Sequence, residues 1–262
     1  MQKKIRDIIG YWDGRVSRYG ATGKSTLLDD NMRALEVETV RSWLGPKDRA
    51  LEVCCGNGVS TLEFAKSCAS ITGIDLSKGM IKAAKRLAKG SRRRRCAKVD
   101  FEAGNVLGLA DTHRPGKFNT VISVRGLINL PSWELQKEAI LNIHKILPRG
   151  GKFIFLEGSK EGLLRINKLR KKFSLAPLRE PWYDKHFKTG LLNRFMASRF
   201  RVRSTRDLDV YFLMSRILYP SAVRPDEPRF DSLCNTLARL MVPFVRTDTR
   251  TTLLVCNCYI KR

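Results

Sequence analysis

The sequence predicts an α/β fold: a doubly wound, mostly parallel seven-stranded sheet, with a helical segment before it and a helical insert near its end. Three observations predict it. The middle third alternates short apolar runs with stretches of helical period, the pattern of βαβ units. One buried run, Leu51-Glu-Val-Cys-Cys-Gly-Asn-Gly-Val-Ser60, passes through two glycines into a helix. The chain has 262 residues, 43% hydrophobic and 29% charged, and its apolar residues recur periodically, so it can build one large core and is not a disordered chain.

The elements follow in order. Leu35–Leu44 reads as an amphipathic helix after a polar stretch, Gly20–Asp30. Ala50–Cys54 is the first strand and Val59–Cys68 a helix. Ser70–Asp75 is the second strand. Ser77 caps a helix to about Lys89, apolar along Met80, Ile81, Ala84, Leu87 and Ala88. Val99–Gly104 and Asn119–Val124 are the third and fourth strands. Pro131-Ser132 opens a helix to Leu147, which Pro148-Arg-Gly-Gly151 stops. Lys152–Glu157 is the fifth strand. Beyond it the pattern is helical to about Phe173 and irregular and aromatic-rich over Pro177–Arg199. Phe200–Arg206 alternates like a strand, Asp207–Leu218 and Asp231–Met241 look helical, and Thr251–Ile260 is the last strand.

Charge bounds the partners. Lys+Arg is 50 and Asp+Glu is 25, a formal net charge of +25. Such a chain suits an anionic partner: nucleic acid, an anionic membrane surface, or an acidic substrate. No apolar run is long enough to span a bilayer, and MQKKIRDIIGYWDGR does not read as a secretory signal. Seven cysteines, an odd number with no CxxC pair, fit a reduced, cytoplasmic setting. Cys256 and Cys258 fall on one face of a strand, and no metal site is expected. Gly23-Lys24-Ser25 resembles a phosphate loop but lacks its earlier glycine, position 18 being Arg18, and its preceding strand; a polar loop is expected.

The glycine loop is the sharpest signal. Glycines after a buried strand let backbone approach a ligand at the carboxyl edge of a doubly wound sheet. The dinucleotide fingerprint would need a third glycine where Thr61 stands, which argues against NAD or FAD. With its other motifs the chain resembles a class I S-adenosylmethionine-dependent methyltransferase. The motifs are Glu52, Cys54, Gly56 and Gly58 at the first strand end, with Cys54 replacing the family's first glycine. Asp75 in ITGIDLS, Asn105 in FEAGNV and the Leu-Pro-Arg-Gly-Gly stop before the fifth strand complete them. The resemblance covers about Leu35–Gly158, and the last strand more weakly.

It implies S-adenosyl-L-methionine as cofactor. Gly56 and Gly58 would lie against its methionine portion, with Glu52 behind the loop or at the ammonium. Asp75 would accept from two ribose hydroxyls, and Asn105, with Val106 beside it, would read the adenine amino group through its amide oxygen. Tyr11, Trp12, Arg15 and Tyr19 resemble an N-terminal segment that closes over the cofactor, and Tyr19 joins the cofactor set. The resemblance also divides the chain into residues 1–33, a cofactor core at 34–158, a substrate-side cap at 159–250 containing the sixth strand, and the closing strand at 251–262.

Methyl transfer is an in-line displacement that mainly needs alignment, so catalytic groups are not conspicuous. Arg125, after the fourth strand, is a candidate clamp for a carboxylate or phosphate. Glu157, after the fifth, is a candidate base, and the two are also candidate partners of one another. His186, in PWYDKHF, is the histidine of the cap; His144 reads as packed on its helix and His113 as solvated in a polar turn. Arg92–Arg95 reads as a basic run away from the cofactor edge. Arg165, Lys168, Arg170, Lys171 and Lys172 share one helix with an apolar face of Leu163, Leu164, Leu169 and Phe173, a candidate contact for an anionic acceptor or membrane. No RNA-binding module and no Asn/Asp-Pro-Pro-aromatic motif follow. The expected function is methyl transfer to a small-molecule, glycan or lipid-linked acceptor, anionic in character, by a monomer or homodimer. The alternatives are an RNA methyltransferase and a non-catalytic binding protein on the same fold.

Overall fold

The computed structural model describes residues 2–90, 98–224 and 229–262. The Arg92–Arg95 run lies outside the described residues. Helix α1 (Gln2–Tyr19) and α2 (Asp30–Trp43) precede the sheet. Then come β1 (Arg49–Val53), α3 (Val59–Phe64), β2 (Ser70–Asp75), α4 (Lys78–Gly90) and β3 (Lys98–Ala103). A short α5 (Leu109–Thr112) leads to β4 (Thr120–Val124), α6 (Trp133–Ile146) and β5 (Lys152–Gly158). The insert between β5 and the last strand holds α7 (Lys160–Lys172), α8 (Thr189–Ala197), β6 (Phe200–Thr205), α9 (Asp209–Leu213), α10 (Tyr219–Val223) and α11 (Leu233–Met241). The chain ends in β7 (Leu254–Lys261).

The seven strands lie in the order β3-β2-β1-β4-β5-β7-β6. The first five are parallel; β7 is antiparallel to both β5 and β6. Strand order reverses between β1 and β4, and a doubly wound sheet opens its ligand crevice at the carboxyl end of that point. Both sheet faces are covered, so central strands are apolar on both sides. On β5, Ile154 and Leu156 face the core under α2 and α7, while Phe153 and Phe155 face the core under α6.

Several expectations change. The first strand ends at Val53, because Cys54 turns out of it at φ 55°. The stretch expected to be irregular after Pro177 contains α8, whose Leu192 and Met196 are buried. Asp207–Leu218 is α9 followed by one π turn, Met214–Leu218. His113 is not solvated: it is 7% exposed, 2.9 Å from Glu102 and tilted on Phe118. Arg170 leaves the basic stripe of α7; it is buried and donates to the carbonyls of Ala176 and Arg216. Leu164 and Phe173 point out of that helix rather than in.

Candidate active site

One cavity of about 580 Å³ opens at the carboxyl ends of β1, β2, β4 and β5. Glu52, Cys54, Gly56, Asp75, Asn105 and Val106 line one half of it; Gly58 and Tyr19 do not. Gly58 instead begins α3 at φ 76°. Tyr19 sits beside the guanidinium groups of Arg15 and Arg18. From α1 the cavity takes Ile5, Ile8, Ile9, Trp12 and Arg15.

The glycine loop is pinned from both sides. Gly56 donates its N–H to Asp75 Oδ2 at 2.9 Å, and Ser77 donates its N–H to Oδ1 at 2.8 Å. A carboxylate offers roughly four acceptor sites, so Asp75 keeps a site on each oxygen for a ligand diol. Gly56 has φ 56°, and a Cβ there would stand 2.7 Å from Thr26 Cγ2, so only glycine lets residues 20–26 close over the loop. Asn57 fastens that closure, donating to the carbonyls of Gly20 at 3.2 Å and Thr22 at 2.7 Å. The Gly23–Ser25 turn is no phosphate cradle: its carbonyls accept from Arg15 and Arg33. Glu52 accepts from the Thr61 hydroxyl, and burial pushes its carboxyl up to about 8. Burial and nearby carboxylates push the Cys54 thiol up as well, so it is no ready thiolate. Asn105 spends its side-chain oxygen on the Leu107 N–H at 3.0 Å, which leaves its amide N–H groups for a ligand acceptor.

The other half is walled by β4 and β5 ends, α1, the 178–186 segment and the insert. Its charges are mostly paired. Arg125, at φ 52°, is ion-paired with Glu36 of α2 rather than with Glu157. Its charge is therefore neutralised in place, and the clamp expected for an anion is already occupied. Glu157 is fully buried and outside the cavity lining. It accepts the Ser123 hydroxyl and the N–H groups of Gly126, Leu127 and Ile128, so it shapes the loop after β4 and is not a free base. Burial still lifts its carboxyl to about 7. Arg216, on the π turn, is ion-paired with Asp29, the N-cap of α2, which also accepts from the Tyr211 hydroxyl at 2.6 Å.

Two groups face the cavity with capacity to spare. His186 lies flat against Gly158, where a Cβ would stand 2.5 Å from its Cδ2; its Nδ1 is buried without a partner. Burial lowers its pKa, and Arg125 and Lys160 add to that against the opposing pull of Glu180, so the neutral ring is favoured. Asp184, two residues earlier, accepts from Asn129 Nδ2 at 2.7 Å, and burial lifts its carboxyl to about 7. Sequence reasoning passed over Asp184; the signal was an acid two residues from His186 in an aromatic run, with Asn129 at the end of β4's loop. That run is clasped to α1: Tyr183 stacks on Tyr11 at 4.4 Å, and Trp182 and Trp12 meet the pair edge-on. Trp12 Nε1 and Arg33 Nε are further buried atoms without a hydrogen-bond partner on residues of the cavity wall. Buried polar atoms at a cavity without a protein partner are placed to meet a bound ligand.

Residues 50–151 match a family described as methyltransferase domain. Two curated relatives are demethylmenaquinone methyltransferases. The protein of Corynebacterium kroppenstedtii is 34% identical over 85 residues, 32% of this chain and 36% of the relative. That of Mycobacterium marinum is 28% identical over 159 residues, 61% of this chain and 62% of the relative. The chain thus spans between about a third and three fifths of these relatives. Among solved structures, magnesium protoporphyrin IX methyltransferase of Synechocystis with bound SAH superposes with TM-score 0.57 at 17% identity, covering 88% of this chain and 84% of that one. A chain of the Haloferax volcanii complex with the Trm112 methyltransferase activator gives 0.60 at 16% identity, covering 95% and 96%. The [4+2]-cyclase SpnF gives 0.57 at 18% identity, over 87% and 81%, so the fold alone does not fix the reaction. Residues 50–151 thus match a methyltransferase domain family, and they carry the strand order and the glycine loop at the switch point of a doubly wound sheet.

Proposed function

We propose that the protein transfers a methyl group from S-adenosylmethionine to a small, largely apolar acceptor that carries an ionisable hydroxyl. The carrying observation is a single cavity whose cofactor half ends at Asp75 and the glycine loop and whose other half ends at Asp184 and His186. The cofactor supplies an electrophilic methyl group on its sulfonium. Glu52, Gly56, Asp75, Asn105 and Val106 would hold it, with Trp12 Nε1 as a further donor. Asp184, its carboxyl lifted to about 7, is matched to accepting a proton at neutral pH, and His186 Nδ1 is matched to orienting the hydroxyl. The clasp of α1 on residues 182–183 keeps water out.

The acceptor wall supports an apolar molecule: Ile5, Ile8, Ile9, Leu178, Phe212 and Leu254 face it, and Arg125 and Arg216 there are already ion-paired. Both curated relatives are named for demethylmenaquinone, an apolar quinone whose reduced, quinol form carries such hydroxyls. RNA as acceptor has one observation in its favour, an open basic groove on α4 with Lys78, Lys82, Lys85 and Lys89. Labelled methyl transfer into separated lipid, small-molecule, RNA and protein pools tests both. Label in the lipid or small-molecule pool supports the first reading; label confined to RNA overturns it.

A further inference from the structure

Of fifteen large apolar side chains exposed among the described residues, twelve come after residue 158. Five of these sit on α11 and the turn after it: Leu233, Leu237, Leu240, Met241 and Phe244, with Leu233 73% and Phe244 86% exposed. At helical spacing, Leu233, Leu237, Leu240 and Phe244 fall within about 60° of one another. The opposite side, Asn235, Ala238 and Val242, is buried. Ala238 and Val242 belong to the same core cluster as Tyr211 and Phe212 of α9. The helix is firmly seated. Ser232 caps it, accepting from the Asn235 N–H, and Arg239 on its flank reaches Asn31 and Glu38 of α2. An outward apolar face on a well-anchored helix marks an interaction surface.

Charge selects the occupant. Residues 159–250 hold twenty Lys or Arg against nine Asp or Glu. Arg229, Arg246 and Arg250 beside α11 are exposed, as are Asp231 and Asp248. A second copy of this chain would bring another +25 against the same face, so self-association is opposed. We propose that α11 lies in the interfacial layer of an anionic lipid bilayer, its apolar face in the acyl boundary and the surrounding arginines at the headgroups. Among the described residues no helix is long and apolar enough to cross a membrane, so this contact is peripheral. It differs from the contact expected on α7, whose basic face is not backed by a comparable apolar one. Phe230, three residues before α11, lines the cavity with Phe212 and Arg216, so the docked face adjoins the acceptor half. The inference does not rest on methyl transfer, though it would let a lipophilic acceptor pass from bilayer to cavity.

The test is vesicle co-sedimentation of the full chain. Vesicles of phosphatidylcholine alone are compared with vesicles containing phosphatidylglycerol. Binding to the anionic vesicles, weakening with salt, is expected. The double variant Leu237→Asp/Phe244→Asp should lower partitioning by about tenfold or more with Tm unchanged, as the loss of two exposed large side chains from the acyl boundary implies. Leu141→Asp, an exposed leucine on α6, should change nothing. Absent binding, or binding that the double variant leaves intact, overturns the proposal. So does a dimer in sedimentation that the double variant dissolves, which would make a second copy the occupant.

Discussion

The two halves of the cavity are built by different means. The cofactor half is held by backbone: Gly56 and Ser77 N–H groups on Asp75, and a loop fixed by strand ends 19 residues apart in sequence. The acceptor half is held by side chains from distant segments, such as Arg125 on Glu36 across 89 residues and Asn129 on Asp184 across 55. Backbone-held geometry leaves a compact local motif. Side-chain-held geometry leaves none, and it can change acceptor without changing the fold.

Four substitutions test that contrast, from the largest expected effect to the smallest. Glu157→Ala strands three buried N–H groups and the Ser123 hydroxyl, and should cost about 3–5 kcal/mol in chemical denaturation. A loss below about 1 kcal/mol would show that the loop after β4 does not depend on it. Asp184→Asn should lower kcat about a hundredfold and abolish the rise in rate through pH 7, while cofactor affinity stays put. An unchanged pH profile would remove Asp184 from proton transfer. Asp75→Ala should weaken cofactor binding about tenfold or more by calorimetry, through loss of charge-assisted hydrogen bonds. No change would separate the glycine loop from cofactor binding.

The mildest test is thermal. The Glu52 carboxyl sits at about 8 in the fold against 4.5 when exposed, so the unfolded chain loses this proton first as pH rises. The stability tied to the protonated form is full below about pH 4.5 and is lost as pH climbs toward 8. Glu52→Gln should therefore raise Tm at pH 8 by a few degrees relative to wild type and flatten the decline between pH 5 and 8. A parallel decline in both proteins would show that Glu52 does not titrate in that window.

The same contrast sets what the sequence disclosed. Ser70–Asp75 is read to the residue because alternation and a following cap are local signals. The glycine loop and Asp75 are legible for the same reason. α8 was missed because its short stretch is surrounded by prolines and aromatics, and its helix is fixed by Leu192 and Met196 packing under β5 and β6. The partners of Arg125 and Glu157 are not legible in the sequence, because a half-buried cation and a buried acid declare them only in three dimensions. Glu36, the actual partner of Arg125, sits on a helix before the sheet begins.

Asn57 has one more consequence. It belongs to the glycine loop yet holds two carbonyls of the segment above it. A molecule that stiffens the loop therefore stiffens residues 20–26 as well, and that ordering is shared by whatever binds next. Two ligands that share one loss of conformational freedom favour each other, and linkage requires the factor to be equal in both directions. Hydrogen exchange at residues 20–26 should slow with the first ligand and change little with the second. The strength with which cofactor and acceptor favour each other then becomes a property of one asparagine amide.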